Sequence, residues 1–232
     1  MGMRTTWADR PASGPVGAVL ALAGIAAGVL VGDGGLDTVV GCGFPSDGYP
    51  SQTAKDWVTG ADHVVVATPT AEKDTNRRDF DEGAIRYQTD RAVTFRTDDV
   101  LWSSQQPRHA LGQDFEMVAA GWRVHRESGD RAKRTTAAAP RLEPGHTYLL
   151  ALRWVTDQWV VLGEGASVPY DQGTVGRGEW CGRTLSEDDV ARGERFSRVD
   201  DHSLEKTAHG KDEQAVRQEL ERAGAHPRTG SR

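Results

Sequence analysis

Residues Ile85–Thr97, IRYQTDRAVTFRT, decide the fold. Ile85, Tyr87, Val93 and Phe95 alternate with Arg86, Gln88, Thr94 and Arg96, so one face of an extended strand is buried and the other is wet. The middle, Asp90-Arg91-Ala92, breaks the alternation by putting Arg91 on the apolar face, which a β-bulge or the strong bend of a small barrel would explain. Val100, Leu101 and Trp102 then close the strand before Ser103 to Arg108.

Working outward toward the N-terminus, Glu72 to Gly83 reads as a charged hairpin loop. Asp79, Asp81 and Glu82 invite a calcium site, but the EF-hand loop needs Gly and Glu where Ala84 and Asp90 stand. No metal is therefore assigned. Before it, His63-Val64-Val65-Val66-Ala67-Thr68 is a β-branched run too short and too apolar for an exposed helix, hence a buried strand. Pro69 cannot donate to a ladder and marks where central pairing stops. Ser51 to Gly60 fits a short helix capped by Ser51 or Thr53, with Trp57 and Val58 facing the domain.

Toward the C-terminus, Phe115 to Trp122 is a further strand with Gly121 as a bend, and the polar, basic stretch Arg123 to Arg141 reads as a mobile loop. Glu143-Pro144-Gly145-His146 is a turn with Pro and Gly where type II geometry wants them. It feeds Thr147 to Val155, a short turn and Trp159 to Leu162, together a hairpin. Gly163 to Gly182 reads as irregular or weakly stranded. Ser186 looks like a helix cap. Asp212 to Ala223 forms a helix with Val216, Leu220 and Ala223 on one thin stripe, as a peripheral tail.

No helical crossovers separate these strands, so the expected fold is mainly β: a small OB-like barrel of about five strands with short C-terminal helices. The organisation read from the sequence is a cytoplasmic N-terminus (1–14), a transmembrane anchor or signal peptide (15–32), a tether and lead-in (33–60), an extracytoplasmic OB-like β domain (61–193) and a polar helical tail (194–232).

The compartment rests on Pro15 to Gly32, PVGAVLALAGIAAGVLVG, which carries no charge. As a helix, Val16 to Val31 would extend roughly 24 Å, slightly short of a bilayer core of about 30 Å. Its apolarity comes largely from Ala and Gly, so a single-pass anchor and a cleaved signal peptide both stay open. Arg4 and Arg10 precede the run and Asp33 and Asp37 follow it, and basic flanks stay cytoplasmic. Either way the rest of the chain lies outside the cytoplasm, at the cell membrane or secreted. A buried core helix fits less well, for want of a polar face. Val39-Val40-Gly41-Cys42 resembles a lipidation box, but Asp33 and Asp37 separate it from the apolar run.

Cys42 and Cys181 are the only two cysteines. An exported pair is oxidised by default, and neither sits at a metal-ligand spacing, so one disulfide is expected. It would close a long loop, a constraint valued at roughly 4–5 kcal/mol by chain entropy.

The net charge of −6 is spread over mixed signs without a basic stripe, which argues against nucleic acid as a partner. Arg-rich, Ala- and Gly-rich composition points to GC-rich codons and a high-GC bacterium. No GxSxG elbow, HExxH, Walker loop or dinucleotide fingerprint occurs, so no catalytic residue and no cofactor is assigned. His125 and His146 fall in loops and read as surface histidines. Trp122, Tyr148, Trp154 and Trp159 cluster on the expected strands. Such residues either fill a barrel core or stack sugars and bases, as OB barrels do.

The order of ADHVVVATPT, YQTDRAVTFRTDDVLW, LEPGHTYLLAL and WCGRTLS resembles netrin-like domains, the OB-fold group that includes tissue inhibitors of metalloproteases. The resemblance covers roughly Cys42 to Val190. It implies an OB fold, an extracytoplasmic binding habit and a cysteine before the first strand bonded within the domain, which Cys42 and Cys181 could imitate. Inhibitory members present a free N-terminal cysteine to the protease zinc, and Cys42 lies well inside this chain, so protease inhibition is not carried over. The function expected is a non-enzymatic binding module at the bacterial cell surface, held by its N-terminal helix, with a protein or glycan ligand. The alternative is a cell-envelope hydrolase whose catalytic groups meet only in the fold.

Overall fold

A computed structural model of the chain describes residues 39–40, 50–136, 139–185 and 202–225. The apolar run 15–32, Cys42 and the helix read from Ser186 lie outside the described residues. The strands are β1 (Val39–Val40), β2 (His63–Asp79), β3 (Ile85–Ser103), β4 (Asp114–His125), β5 (Arg131–Arg134), β6 (Tyr148–Val155), β7 (Gln158–Val161), β8 (Ser167–Pro169), β9 (Gly178–Trp180) and β10 (Arg183–Leu185). The helices are α1 (Ala54–Gly60), α2 (Leu204–Ala208) and α3 (Glu213–Gly224). None of the described helices is long and apolar enough to cross a membrane.

The fold is mainly β. Strands β2, β3, β4, β7 and β6 form a ring of five: β3 pairs with β2 and β4, β6 pairs with β2 and β7, and β4 meets β7 in parallel at the single pair Met117 and Trp159.

The uninterrupted apolar run of β2 follows from its place between two layers. Val64 and Val66, with Leu149 and Ala151 of β6, pack against Trp57, Leu204, Val216 and Leu220 of the helices. Val65 and Ala67, with Tyr148, Leu150 and Leu152, point into the ring against Phe95, Phe115 and Met117. A strand buried on both faces loses its alternation. Strand β3 keeps its alternation because only one face is covered, with Thr89, Arg91, Val93 and Phe95 buried on it.

The helices form as their caps dictate. Thr53 and Asp56 make a reciprocal capping box on α1, and Trp57, fully buried, donates its indole N–H to the Ser51 carbonyl at 2.7 Å. Asp212 caps α3, and Glu213 pairs with Arg217 one turn on. The β6–β7 turn is Thr156-Asp157, both at positive φ, the backbone that a two-residue hairpin turn requires.

Four readings change. The hairpin loop is confined to residues 80–84, because β2 pairs with β3 as far as Asp79. Pro69 ends nothing by itself: pairing with β6 stops at Ala67, whereas pairing with β3 continues past an irregularity between Pro69 and Ala71. Arg123 to Arg141 is no free loop, for β4 runs to His125, β5 pairs with it, and Arg141 is buried. The described parts of the lead-in and the tail pack on the body: α1 packs on α3, and Val216 and Leu220 are fully buried, so the thin stripe suffices where a complementary apolar face meets it.

Candidate functional site

The ring is weakest where β4 meets β7. Beyond Met117 the two strands separate, and β4 finds its next partner on that side only at Trp122 to Val124, which pair with β5. Val118, Ala119 and Ala120 of β4 and Val160 and Val161 of β7 line a cavity of about 250 Å³ between them, with Pro140 beside them. The strand walls are small and apolar, Thr136, Arg141, Glu164 and Ser167 add polar groups to the lining, and Val118 is half exposed. The groove thus brings together two strand edges whose backbone groups are not used in strand pairing there.

One wall is fixed by a buried polar network. Arg91 stays on the apolar face, as its position in the alternation dictates, and is completely buried. Its guanidinium donates to the Ala120 carbonyl at 2.8 Å, to the carbonyls of Arg141 and Leu142, and to Glu72. The irregularity expected here exists: the register against β4 slips between Thr89 and Asp90. Gly121 lies opposite, and a Cβ there would stand 2.5 Å from the Thr89 carbonyl oxygen, so only glycine admits this approach.

Glu179 of β9, 1% exposed, accepts from the backbone N–H groups of Arg141, Leu142 and Gly182 and from the Tyr148 hydroxyl at 2.7 Å. Burial pushes its carboxyl up and the converging donors pull it back; burial and the adjacent Glu179 raise Tyr148. Burial lowers Arg141, and Glu143 at 2.7 Å opposes it. Every charge in this cluster has several partners, as a buried network requires.

The four candidate aromatics separate. Tyr148 and Trp159 are core residues of the ring, inaccessible to a stacking ligand. Trp122 and Trp154 are partly exposed, but their rings already have partners. Arg131 and Arg141 place guanidiniums 4.4 and 4.3 Å from the Trp122 ring centre, and His109 stacks on Trp154 at 3.9 Å. A sugar stacking on either ring would have to compete with these partners.

Two histidines meet chemical partners. His63 Nδ1 lies 2.9 Å from the Ser103 hydroxyl and its Nε2 lies 3.0 Å from the His109 carbonyl. A carbonyl only accepts, so a neutral His63 carries its proton on Nε2 and accepts from Ser103 through Nδ1. The nearby Asp62 is spent on Arg108 and on the Trp154 N–H. His146 Nδ1 lies 2.6 Å from Asp171, whose hydrogen bond raises the imidazole pKa. Thus His63 has a hydroxyl and no acid, and His146 an acid and no hydroxyl nucleophile, among the described contacts. Neither lines the groove.

Cys181 is buried and is not a free thiol; its expected partner Cys42 lies outside the described residues. No group of three or more His, Cys, Asp or Glu placed to hold a metal occurs among the described residues. Compared with known proteins, the chain matches no family model and no curated protein.

Sequence reasoning missed the groove, since strand edges become visible only once partners are assigned. It also missed the buried partners of Arg91 and Arg141. The one available signal was Arg91 itself, a charge in the middle of an apolar stripe.

Proposed function

We propose that the chain is an extracytoplasmic binding module of OB-like design, carried across or held at the membrane by residues 15–32 and closed by a Cys42–Cys181 disulfide. Its ligand is an extended segment of polypeptide that lies in the groove between β4 and β7. The observation that carries this reading is the cavity of about 250 Å³ flanked by two diverging strand edges, with Val118, Ala119, Ala120, Val160 and Val161 on its walls and Thr136, Glu164 and Ser167 as polar groups on its lining. An extended peptide offers both the backbone donors and acceptors and the alternate side chains that such a groove can take. A glycan is the weaker reading, because the only partly exposed candidate tryptophans have Arg or His against their rings.

The test is a fluorescence titration with two probe sets, extended peptides rich in Val and Ala and cell-wall oligosaccharides, read through Trp159 beside the groove. Peptides should bind, and Ala120→Trp, which fills the groove, should weaken them at least tenfold, about 1.4 kcal/mol. Val118→Arg should do the same while changing stability by no more than about 0.5 kcal/mol, since Val118 is half exposed. Equal peptide affinity in wild type and both variants would refute the groove. Oligosaccharide binding lost in Trp122→Ala or Trp154→Ala would favour the glycan instead.

A further inference from the structure

Away from the groove, one end of the β2–β3 ladder brings a hydroxyl and an imidazole into contact. His63 opens β2, Ser103 closes β3, and the two are register partners. Ser103 is exposed, whereas His63 is only 6% exposed, so the ring is shielded and the hydroxyl is not. The His63 Nε2–H donates to the His109 carbonyl at 3.0 Å, which leaves the Nδ1 lone pair to accept from the Ser103 hydroxyl at 2.9 Å.

The surroundings hold this pair in one geometry. Asp62, the residue before His63, donates its backbone N–H to the Leu152 carbonyl and accepts from the Ser104 N–H at its own carbonyl, which pins the chain beside both members of the pair. Its carboxylate accepts the backbone N–H groups of Arg108 and Trp154, and so ties down the loop that carries the His109 carbonyl. Trp159 stands against the His63 ring with the centres 5.6 Å apart. The exposed His109 ring stacks on Trp154 and adds an aromatic surface beside the pair. A base held in place in this way is oriented before any substrate arrives.

We propose that Ser103 is a nucleophile activated by His63, in a dyad whose orienting group is the His109 carbonyl, and that it acts on small activated esters. A hydroxyl within hydrogen-bond reach of a base that a third group orients is the arrangement that makes a serine reactive. The Ser103 oxygen attacks the ester carbonyl carbon while its proton passes to His63 Nδ1, and the imidazolium keeps its Nε2–H bond to the His109 carbonyl. As the bond from that carbon to the leaving oxygen breaks, the Nδ1 proton goes to the leaving oxygen, and Ser103 is left acylated beside a neutral His63. Water then adds to the acyl carbon with its proton passing to Nδ1, and Ser103 departs with that proton, so ester and water give acid and alcohol. Because Ser103 stands in solvent, water meets the developing oxyanion. The reaction is thereby confined to esters with a good leaving group, and an aryl group on the substrate can rest on the exposed His109 ring.

The test treats the full chain with p-nitrophenyl acetate and, separately, with a fluorophosphonate, and locates the adducts by peptide mass spectrometry in wild type, Ser103→Ala and His63→Gln. Glutamine can hydrogen-bond in place of the imidazole but cannot take the proton. In wild type the adduct should sit on Ser103, while Ser128, an exposed serine that accepts only from the Asp130 N–H, stays unlabelled. His63→Gln should slow labelling of Ser103 by about a hundredfold, and Ser103→Ala should abolish the burst of p-nitrophenolate. Label shared evenly between Ser103 and Ser128, or an unchanged rate in His63→Gln, would overturn the proposal. Ester cleavage undiminished in Ser103→Ala would assign the reaction to an imidazole instead and overturn it as well. The comparison of the two serines is made within wild type, so it decides even if His63→Gln does not fold.

Discussion

Two of the buried charged clusters among the described residues are treated in opposite ways. At the end of the ring, Arg91, Arg141 and Glu179 are tied to carbonyls, backbone N–H groups, Tyr148 and further carboxylates, several partners each. Under the helices, Glu205 and His209 lie 3.4 Å apart and, among the described residues, neither has a hydrogen bond to its carboxylate oxygens or ring nitrogens. A satisfied network has one low-energy arrangement and therefore fixes register, while a pair without hydrogen bonds does not hold its neighbours in one geometry. The first helps specify the fold, and the second is a local cost that the packing around it must offset.

Breaking the satisfied cluster should have the largest effect. Arg91→Ala strands Glu72 and three carbonyls, and a loss of about 3–5 kcal/mol is expected in urea unfolding. Glu179→Gln puts an amide NH₂ against at least one of the backbone donors now facing a carboxylate oxygen, and should cost about 2 kcal/mol. A change below about 0.5 kcal/mol in either would mean that the cluster is ornamental, with solvent taking the place of its partners.

The pair under the helices should respond less. Gly176→Ala adds a Cβ against His209 at a φ of +85°, so a loss of about 1–3 kcal/mol is expected in urea unfolding. His146 supplies the smallest term. Its pKa is raised by the Asp171 hydrogen bond, so its contribution is full below the unfolded value and is lost as pH rises through the folded one. His146→Ala should remove that alkaline slope from urea unfolding; a slope left unchanged would contradict the assignment to His146.

The same contrast explains what could be read from the chain. The alternation of Ile85 to Phe95, the start of α1 at one of its two candidate caps, Thr53, and the short turn at Thr156-Asp157 are local, and each formed as its sequence indicates; that Asp212 caps α3 was not read. Arg91 was legible as an anomaly but not as a buried one, since its acceptors lie 19 to 51 residues away. Arg141 looked like part of a solvated basic run because Glu179, which fixes its backbone, is 38 residues on. Val216 and Leu220 alone suggested a loose tail. Their burial depends on Trp57 and Leu204, which no helical period could supply. The groove left the least trace of all, because it arises where β4 and β7 stop pairing rather than from any motif.

The most direct test of the central claim is a backbone NMR titration of the full chain with a Val- and Ala-rich extended peptide. The expected result is shifted, exchange-protected amides at Val118 to Ala120 and Val160 to Val161, with Trp122 and Trp154 indole signals unmoved. Shifts confined to those two indoles, with the β4 and β7 edges unchanged, would contradict it.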